Sequence, residues 1–382
     1  MSGIYIHVPF CRTACHYCDF HFSTSMKNVD SYVEAVIKEI QLRSTHSPWS
    51  SSKFNTLYFG GGTPSVLTKD QVSKIITSLY SSLNINPNLK EATIEVNPED
   101  VNEESLRDWL ECGFDRISIG VQSFDDSQLE WMNRKHSALE AINSVKLAKK
   151  EGFEKISIDL IYGLPNKSQN SWSSSIKTAF SLPIDHISCY SLTVEPRTVL
   201  GARVKKSLEK EAPDELVESD YSELCSMAKE RGFIHYEVSN WAKGQENKAV
   251  HNTSYWEGVP YLGLGPGAHG FNGKSRYSLV SNNNTYIKDL ARGVLPETNE
   301  DLSPVDHSNE ELMTGLRTAR GVDFQELIER WGVDHVFENK VAWEKWIKSG
   351  FIVPAKGRRF RVSEKAWLIG DTISADLISI QS

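Results

Sequence analysis

The sequence predicts an α/β protein: a partial (β/α)6 barrel of TIM-like type followed by a smaller helix-rich, winged-helix-like C-terminal domain. Two observations carry this expectation. Residues 1–200 repeat one grammar, a short β-rich run ending in polar or glycine-rich residues and then a longer segment of helical periodicity, and from residue 302 onward that grammar stops. A chain of 382 residues is also long enough for a large catalytic domain and a smaller companion.

The β-rich runs fall at 4–8, 55–59, 91–96, 116–121, 155–161 and 186–191, and helical patterns with polar starts lie between them at 32–42, 69–83, 102–112, 138–151 and 171–180. Right-handed crossovers between parallel strands place such helices outside the sheet and gather the residues that follow each strand on one rim. Chemistry-bearing residues follow several separate strands here, which favours a curved sheet whose strand ends converge. A charged, helix-rich segment at 202–232 precedes a short run at 235–241, and 261–273 reads as a glycine-rich turn region. Beyond residue 302, helices are predicted at 309–316, 324–331 and 341–348, a hairpin at 351–361 around Lys356-Gly357, and a further helix from Ser363. The expected division is 1–240 for the barrel, 241–301 for a linking segment and 302–382 for the small domain.

A net charge of -8 and a pI near 5.8 give no general attraction to nucleic acid. The local basic hairpin with Lys356, Arg358, Arg359 and Arg361 is expected to serve packing, and no nucleic-acid partner is expected. The first residues lack the pattern of a signal peptide, and no run reaches the roughly 18 apolar residues of a spanning helix. A cytoplasmic protein is therefore expected. Of the 6 cysteines, Cys11, Cys15 and Cys18 crowd together while Cys112, Cys189 and Cys225 stand far apart, which points to a metal centre and away from a disulfide framework.

Cys11-x3-Cys15-x2-Cys18 follows the first predicted strand directly. Three thiolates can anchor three irons of a cubane and leave the fourth open to a chelating ligand; a zinc site completed by His7, His16 or His21 is the competing reading of the local spacing. After the second strand comes Phe59-Gly60-Gly61-Gly62-Thr63-Pro64, where Gly61, Gly62 and Thr63 let backbone groups approach a ligand. No Gly-Lys-Ser/Thr follows, which excludes a phosphate loop. Glu95, Gln122, Arg134 and Asp159 stand near later strand ends, and their side chains can accept from hydroxyls or an ammonium, donate, or clamp a carboxylate. Taken singly, each is most often a salt bridge or a loop cap.

The run Tyr5-Ile6-His7-Val8-Pro9-Phe10-Cys11 through Cys18-Asp19-Phe20 resembles the radical S-adenosylmethionine superfamily, and within it the family of anaerobic coproporphyrinogen III dehydrogenases and their haem-chaperone relatives. The resemblance implies a [4Fe-4S] cluster on Cys11, Cys15 and Cys18 whose open iron binds the amino and carboxylate groups of S-adenosylmethionine. Reductive cleavage would give methionine and a 5'-deoxyadenosyl radical. It also implies cofactor contacts from Tyr5, Gly61, Gly62, Thr63, Glu95, Gln122, Arg134 and Asp159. No catalytic residue is assigned.

Where the dehydrogenases carry another cysteine two residues beyond the third, this chain has Phe20, and it reaches Cys11 without their N-terminal extension. These departures favour the haem-chaperone branch, which carries the motif seen here as His251-Asn252-x2-Tyr255-Trp256. By that resemblance His251 is the leading haem contact, supported by Asn252, Tyr255 and Trp256, with His235 and His269 as rival ligands. Haem and an acceptor haemoprotein are the expected partners, together with a reducing protein. The alternative is an oxygen-independent coproporphyrinogen III dehydrogenase.

Overall fold

The computed structural model describes residues 2–165 and 171–380. All six predicted runs are parallel strands in one curved sheet: Ser2–Val8, Lys53–Gly61, Glu91–Val96, Arg116–Gln122, Lys155–Tyr162 and His186–Ser191. A further parallel strand, Tyr261–Leu264, joins them beside Ser2–Val8. This corrects the expectation of a turn region there: Leu262 and Leu264 are fully buried, beside the glycines that made the segment look like a turn.

The sheet also runs through the expected linking segment. The hairpin of Phe233–Glu237 and Asn240–Lys243 extends it antiparallel beyond His186–Ser191, and His269–Phe271, Ser275–Leu279 and Glu297–Asp301 extend it beyond Tyr261–Leu264. The helices Val29–Ser44, Lys69–Ser82, Glu103–Glu111, Ala138–Glu151 and Ser171–Ser181 follow strands as predicted. Reciprocal capping boxes set the starts of three of them, at Thr68 with Gln71, Asn102 with Ser105 and Ser137 with Glu140.

Residue alternation along the strands explains where the core lies and why the barrel interior is free for chemistry. Ile4, Ile6, Leu57, Phe59, Ile94, Ile117, Ile119, Ile156, Ile158 and Ile187 are buried in the main hydrophobic core with the helices. The alternate positions are mostly polar and pair with one another inside: Tyr58 with Glu95, Ser118 with Asp159, Ser157 with His186. Strands of period 2 therefore build an apolar outer face and a polar inner one.

The C-terminal residues form helices Pro304–Leu316, Phe324–Trp331, His335–Glu338 and Lys340–Lys348, then a two-stranded sheet of Ile352–Pro354 with Phe360–Val362. The segment from Ser363 is a 3-10 turn, Glu364–Ile369, before the short helix Gly370–Ala375. Arg358 and Arg359 of the hairpin pair with Asp323 and Glu326 at 3.3 and 3.0 Å. Backbone bonds from Val238 N to Arg317 O (3.0 Å) and from Ala319 N to Tyr236 O (2.9 Å) tie this region to the barrel hairpin. Leu312, Leu316 and Trp367 share one continuous core with the barrel strands. Among the described residues no helix is long and apolar enough to cross a membrane.

Candidate functional site

The cysteine loop leaves the first strand at Pro9 and returns beside it. Cys11 N donates to Ser23 O (3.1 Å) and Ser23 N to Pro9 O (2.9 Å), which closes the loop at its neck. Its tip is held from across the barrel: Asn133 Nδ2 donates to Ala14 O (2.8 Å), His16 N to Met132 O (3.1 Å) and Leu200 N to His16 O (2.8 Å). Each cysteine is partly buried. Burial pushes the Cys11 and Cys18 thiols up to about 11, opposed at Cys11 by the Thr63 hydroxyl, which donates to its sulfur at 3.4 Å, and at Cys18 by the Phe20 backbone. A bound cation is thus the partner that would make these thiols ionise.

The histidines named for a zinc alternative are engaged elsewhere. His7 accepts from the Tyr5 hydroxyl at Nδ1 (3.1 Å) and donates from Nε2 to His21 O (2.9 Å). His16 Nδ1 donates to Trp131 O (2.8 Å) and His21 Nε2 to Asn283 Oδ1 (2.8 Å). Among the described residues no three His, Cys, Asp or Glu side chains gather as a single-ion site.

The glycine run lies against this loop. Gly62 N donates to Val8 O at 2.9 Å, and Gly61, at φ 104°, passes so close to His7 that a Cβ would stand 2.6 Å from its ring. Only glycine fits there. Gly61 N (3.1 Å) and the Tyr58 hydroxyl (2.6 Å) both donate to Glu95. Burial raises Glu95 to about 7; the Tyr58 hydroxyl opposes the rise, Asp159 adds to it, and the Gly61 amide opposes it. Burial likewise lifts Asp159 to about 6 against the hydroxyls of Ser188 and Ser118.

Arg134 links the rim to the cysteines. Its Nη1 donates to Cys15 Sγ at 3.4 Å, while Nη2 donates to Asn97 Oδ1 (2.8 Å) and Gly120 O (2.7 Å). Its buried Nε has no partner among the described residues. Gln122 and Asn133 hold left-handed backbones, φ 66° and 62°, where the chain turns toward Arg134. Such backbone strain gathers at functional sites. Tyr58, Asn97 and Ser118 were not singled out from the sequence. Asn97 lies inside the Glu-Val-Asn-Pro motif, and the inward period of the strands points to the other two.

The motif at 251 lies elsewhere. Helix Val250–Trp256 sits against the inner face of Lys53–Gly61, its first amides donating to Glu91 at 2.7 and 3.1 Å. His251 is buried, with Nδ1 paired to the Thr56 hydroxyl (2.8 Å) and Nε2 to the Tyr255 hydroxyl (2.7 Å), and burial lowers its pKa to about 3. Neither imidazole nitrogen is free. A cavity of about 970 Å³ opens beside it. Tyr5, Tyr58 and Glu95 line one side, His251, Asn252, Tyr255 and Trp256 another, and the C-terminal helices close it with His307, Arg330 and Trp331. The rival ligand His269 also lines the cavity, whereas His235 is stacked on Trp241 and meets Trp367 edge-on, with ring centroids 4.0 Å from each.

A parallel barrel with three cysteines in its first loop, a glycine cradle in its second and a polar rim beside both defines a radical S-adenosylmethionine protein. The Radical SAM superfamily matches residues 5–179. The chain is 36% identical over 336 residues to the heme chaperone HemW of Bacillus subtilis, covering 87% of each chain. It is 34% identical over 342 residues to HemW of Lactococcus lactis, covering 89% of this chain and 85% of that one. The coproporphyrinogen III oxidase HemN of Escherichia coli, at 21% identity, has the same fold, with a TM-score of 0.84 over 99% of this chain and 90% of that one. The chain belongs to the HemW- and HemN-like family of the radical SAM superfamily. That fold implies use of a [4Fe-4S] cluster and S-adenosylmethionine, and the residues present fit both: three cysteines on one closed loop, a cradle that a Cβ would fill, and a buried guanidinium nitrogen with no partner among the described residues.

Proposed function

We propose that this protein is a haem chaperone, which binds haem in the cavity between the barrel and the C-terminal helices and hands it to an acceptor haemoprotein. The observation that carries this reading is the cavity itself. At about 970 Å³ it is large enough for a porphyrin, at the upper end of the roughly 300–1,000 Å³ of ligand pockets. Its walls are aromatic, with Phe20, Tyr255, Trp256, Phe271 and Trp331 available to cover a flat macrocycle. Kinship with proteins named heme chaperones supports it independently.

In this reading Cys11, Cys15 and Cys18 hold the cluster, and Tyr5, Gly61, Gly62, Thr63, Glu95, Gln122, Arg134 and Asp159 surround S-adenosylmethionine. When bound, these two groups supply one-electron chemistry, with a reducing protein as the source of the electron. Arg134 keeps positive charge beside Cys15 and offers Nε to a carboxylate; Glu95 and Asp159 offer acceptors to an ammonium or to hydroxyls. The winged-helix-like C-terminal module, residues 302–382, walls the haem, and Asn252, Tyr255 and Trp256 flank it. The six cysteines are unpaired, as a reducing cytoplasm would keep them.

The same apparatus would serve a coproporphyrinogen III dehydrogenase, the reading favoured by the fold likeness to HemN. Product analysis separates them. Anaerobically reconstituted protein supplied with reductant, S-adenosylmethionine and carboxyl-labelled coproporphyrinogen III is expected to release no labelled carbon dioxide beyond background while binding haem stoichiometrically. Multiple-turnover release would overturn the chaperone reading.

A further inference from the structure

We propose that the imidazole of His307, and not that of His251, supplies the axial nitrogen to the haem iron. This rests on the haem-chaperone reading. Five histidines line the cavity: His7, His21, His251, His269 and His307. An iron ligand needs a nitrogen lone pair facing the metal and a ring whose orientation is already fixed. His7 and His251 have both nitrogens engaged, and His21 is held by Asn283 and stacked on His7. For His251 to ligate, it would have to give up Thr56 or Tyr255 in a site where both are buried around it.

His307 lines the cavity and its ring is fixed. Its ring lies flat on the Trp331 indole, with centroids 4.5 Å apart and planes 6° from parallel, and its other neighbour is the Phe271 ring at 6.2 Å. The indole is itself fixed: its Nε1 donates to Glu311 (2.9 Å), which Arg330 holds in turn at 2.8 Å. The imidazole is thus positioned by packing, and no hydrogen bond among the described residues occupies its nitrogens. His269 also has no ring hydrogen bond among the described residues, but it is exposed at a strand end with no ring neighbour among them to fix it. Ligation from the helix Pro304–Leu316 would hold the haem iron from the C-terminal helices, whereas Tyr5 and Glu95 stand on barrel strands.

The test compares wild type with the variants His307→Ala, His251→Ala and His269→Ala, each matched for cluster content and loaded with one equivalent of haem. The axial ligand is read from the absorption and electron paramagnetic resonance spectra. His307→Ala is expected to lose the imidazole signature and to regain it on addition of free imidazole, while the other two keep it. Because an alanine can disturb packing on Trp331, His307→Met is the second variant, expected to replace the nitrogen signature with that of a thioether. An unchanged signature in His307→Ala, loss of it in His251→Ala or His269→Ala instead, or a loss that neither imidazole nor methionine answers, overturns the assignment. Wild type that takes up no haem overturns the chaperone reading, and the assignment falls with it.

Discussion

Arg134 reaches the Cys15 sulfur at 3.4 Å while its other terminal nitrogen is held by Asn97 and the Gly120 carbonyl. The guanidinium is therefore a fixed charge beside a cluster thiolate, and it couples the first, third and fourth strand ends of the barrel.

Replacing Arg134 with Ala should lower the cluster content obtained on anaerobic reconstitution and weaken binding of S-adenosylmethionine. Cys15→Ala should abolish the cluster. The wild-type protein should hold about four irons and four sulfides per chain. Iron and sulfide analysis checks the cluster content of all three proteins, and calorimetric titration with S-adenosylmethionine checks the weakened binding; stoichiometric zinc in place of iron, or wild-type iron in Arg134→Ala, would contradict the arrangement.

Glu95 gives a pH signature. Its folded pKa of about 7 stands above its ordinary value of 4.5, chiefly through burial. Between those two values the unfolded chain releases the proton first, so the native state loses stability as pH rises, and the loss is complete above about 7. Glu95→Gln, which keeps an acceptor for Gly61 or Tyr58, should therefore be more stable than wild type at about pH 8, with the advantage disappearing near pH 4. Thermal melts across that range test it, and a pH-independent difference would count against a buried, proton-holding carboxyl.

His251→Ala is expected to destabilise the apoprotein by about 2–4 kcal/mol, because the Thr56 and Tyr255 hydroxyls lose their partner in a buried site. Denaturant midpoints measure this without haem. A change below about 0.5 kcal/mol would show that the side chain is not structural.

Ending the chain before residue 302 should do more than remove a wall of the haem cavity. Leu312, Leu316 and Trp367 belong to the barrel's own core, and the hairpin at Tyr236 and Val238 loses its bonds to 317–319. The shortened protein is expected to melt lower and to lose haem handover. Full haem transfer by a fragment of wild-type stability would contradict the shared core.

The barrel was legible because its strands keep a strict period of 2 and its helices start with capping residues. Tyr261–Leu264 was not, since Gly263 and Gly265 read as a turn while the burial of Leu262 and Leu264 depends on pairing with a strand far away in sequence. The cysteine loop and glycine run were legible as contiguous motifs. Asn97 and Tyr58 act through partners that only the closed barrel brings near. His307 and Trp331 carry no local signal at all: their stacking joins two helices of the C-terminal region. The motif at His251 was visible, but its two hydrogen bonds, which leave no nitrogen for iron, come from a strand and a helix turn that spacing alone does not relate.

Haem loaded on a chaperone must be delivered to an acceptor. Purified protein carrying one haem should be mixed anaerobically with an apo-haemoprotein and followed by the acceptor's own absorption spectrum, with free haem as the control. The acceptor is expected to gain its holo spectrum as the donor loses haem, and the transfer is expected to fail in His307→Ala. Retention of haem by the donor, or acceptor loading no different from that given by free haem in both rate and extent, would contradict this delivery.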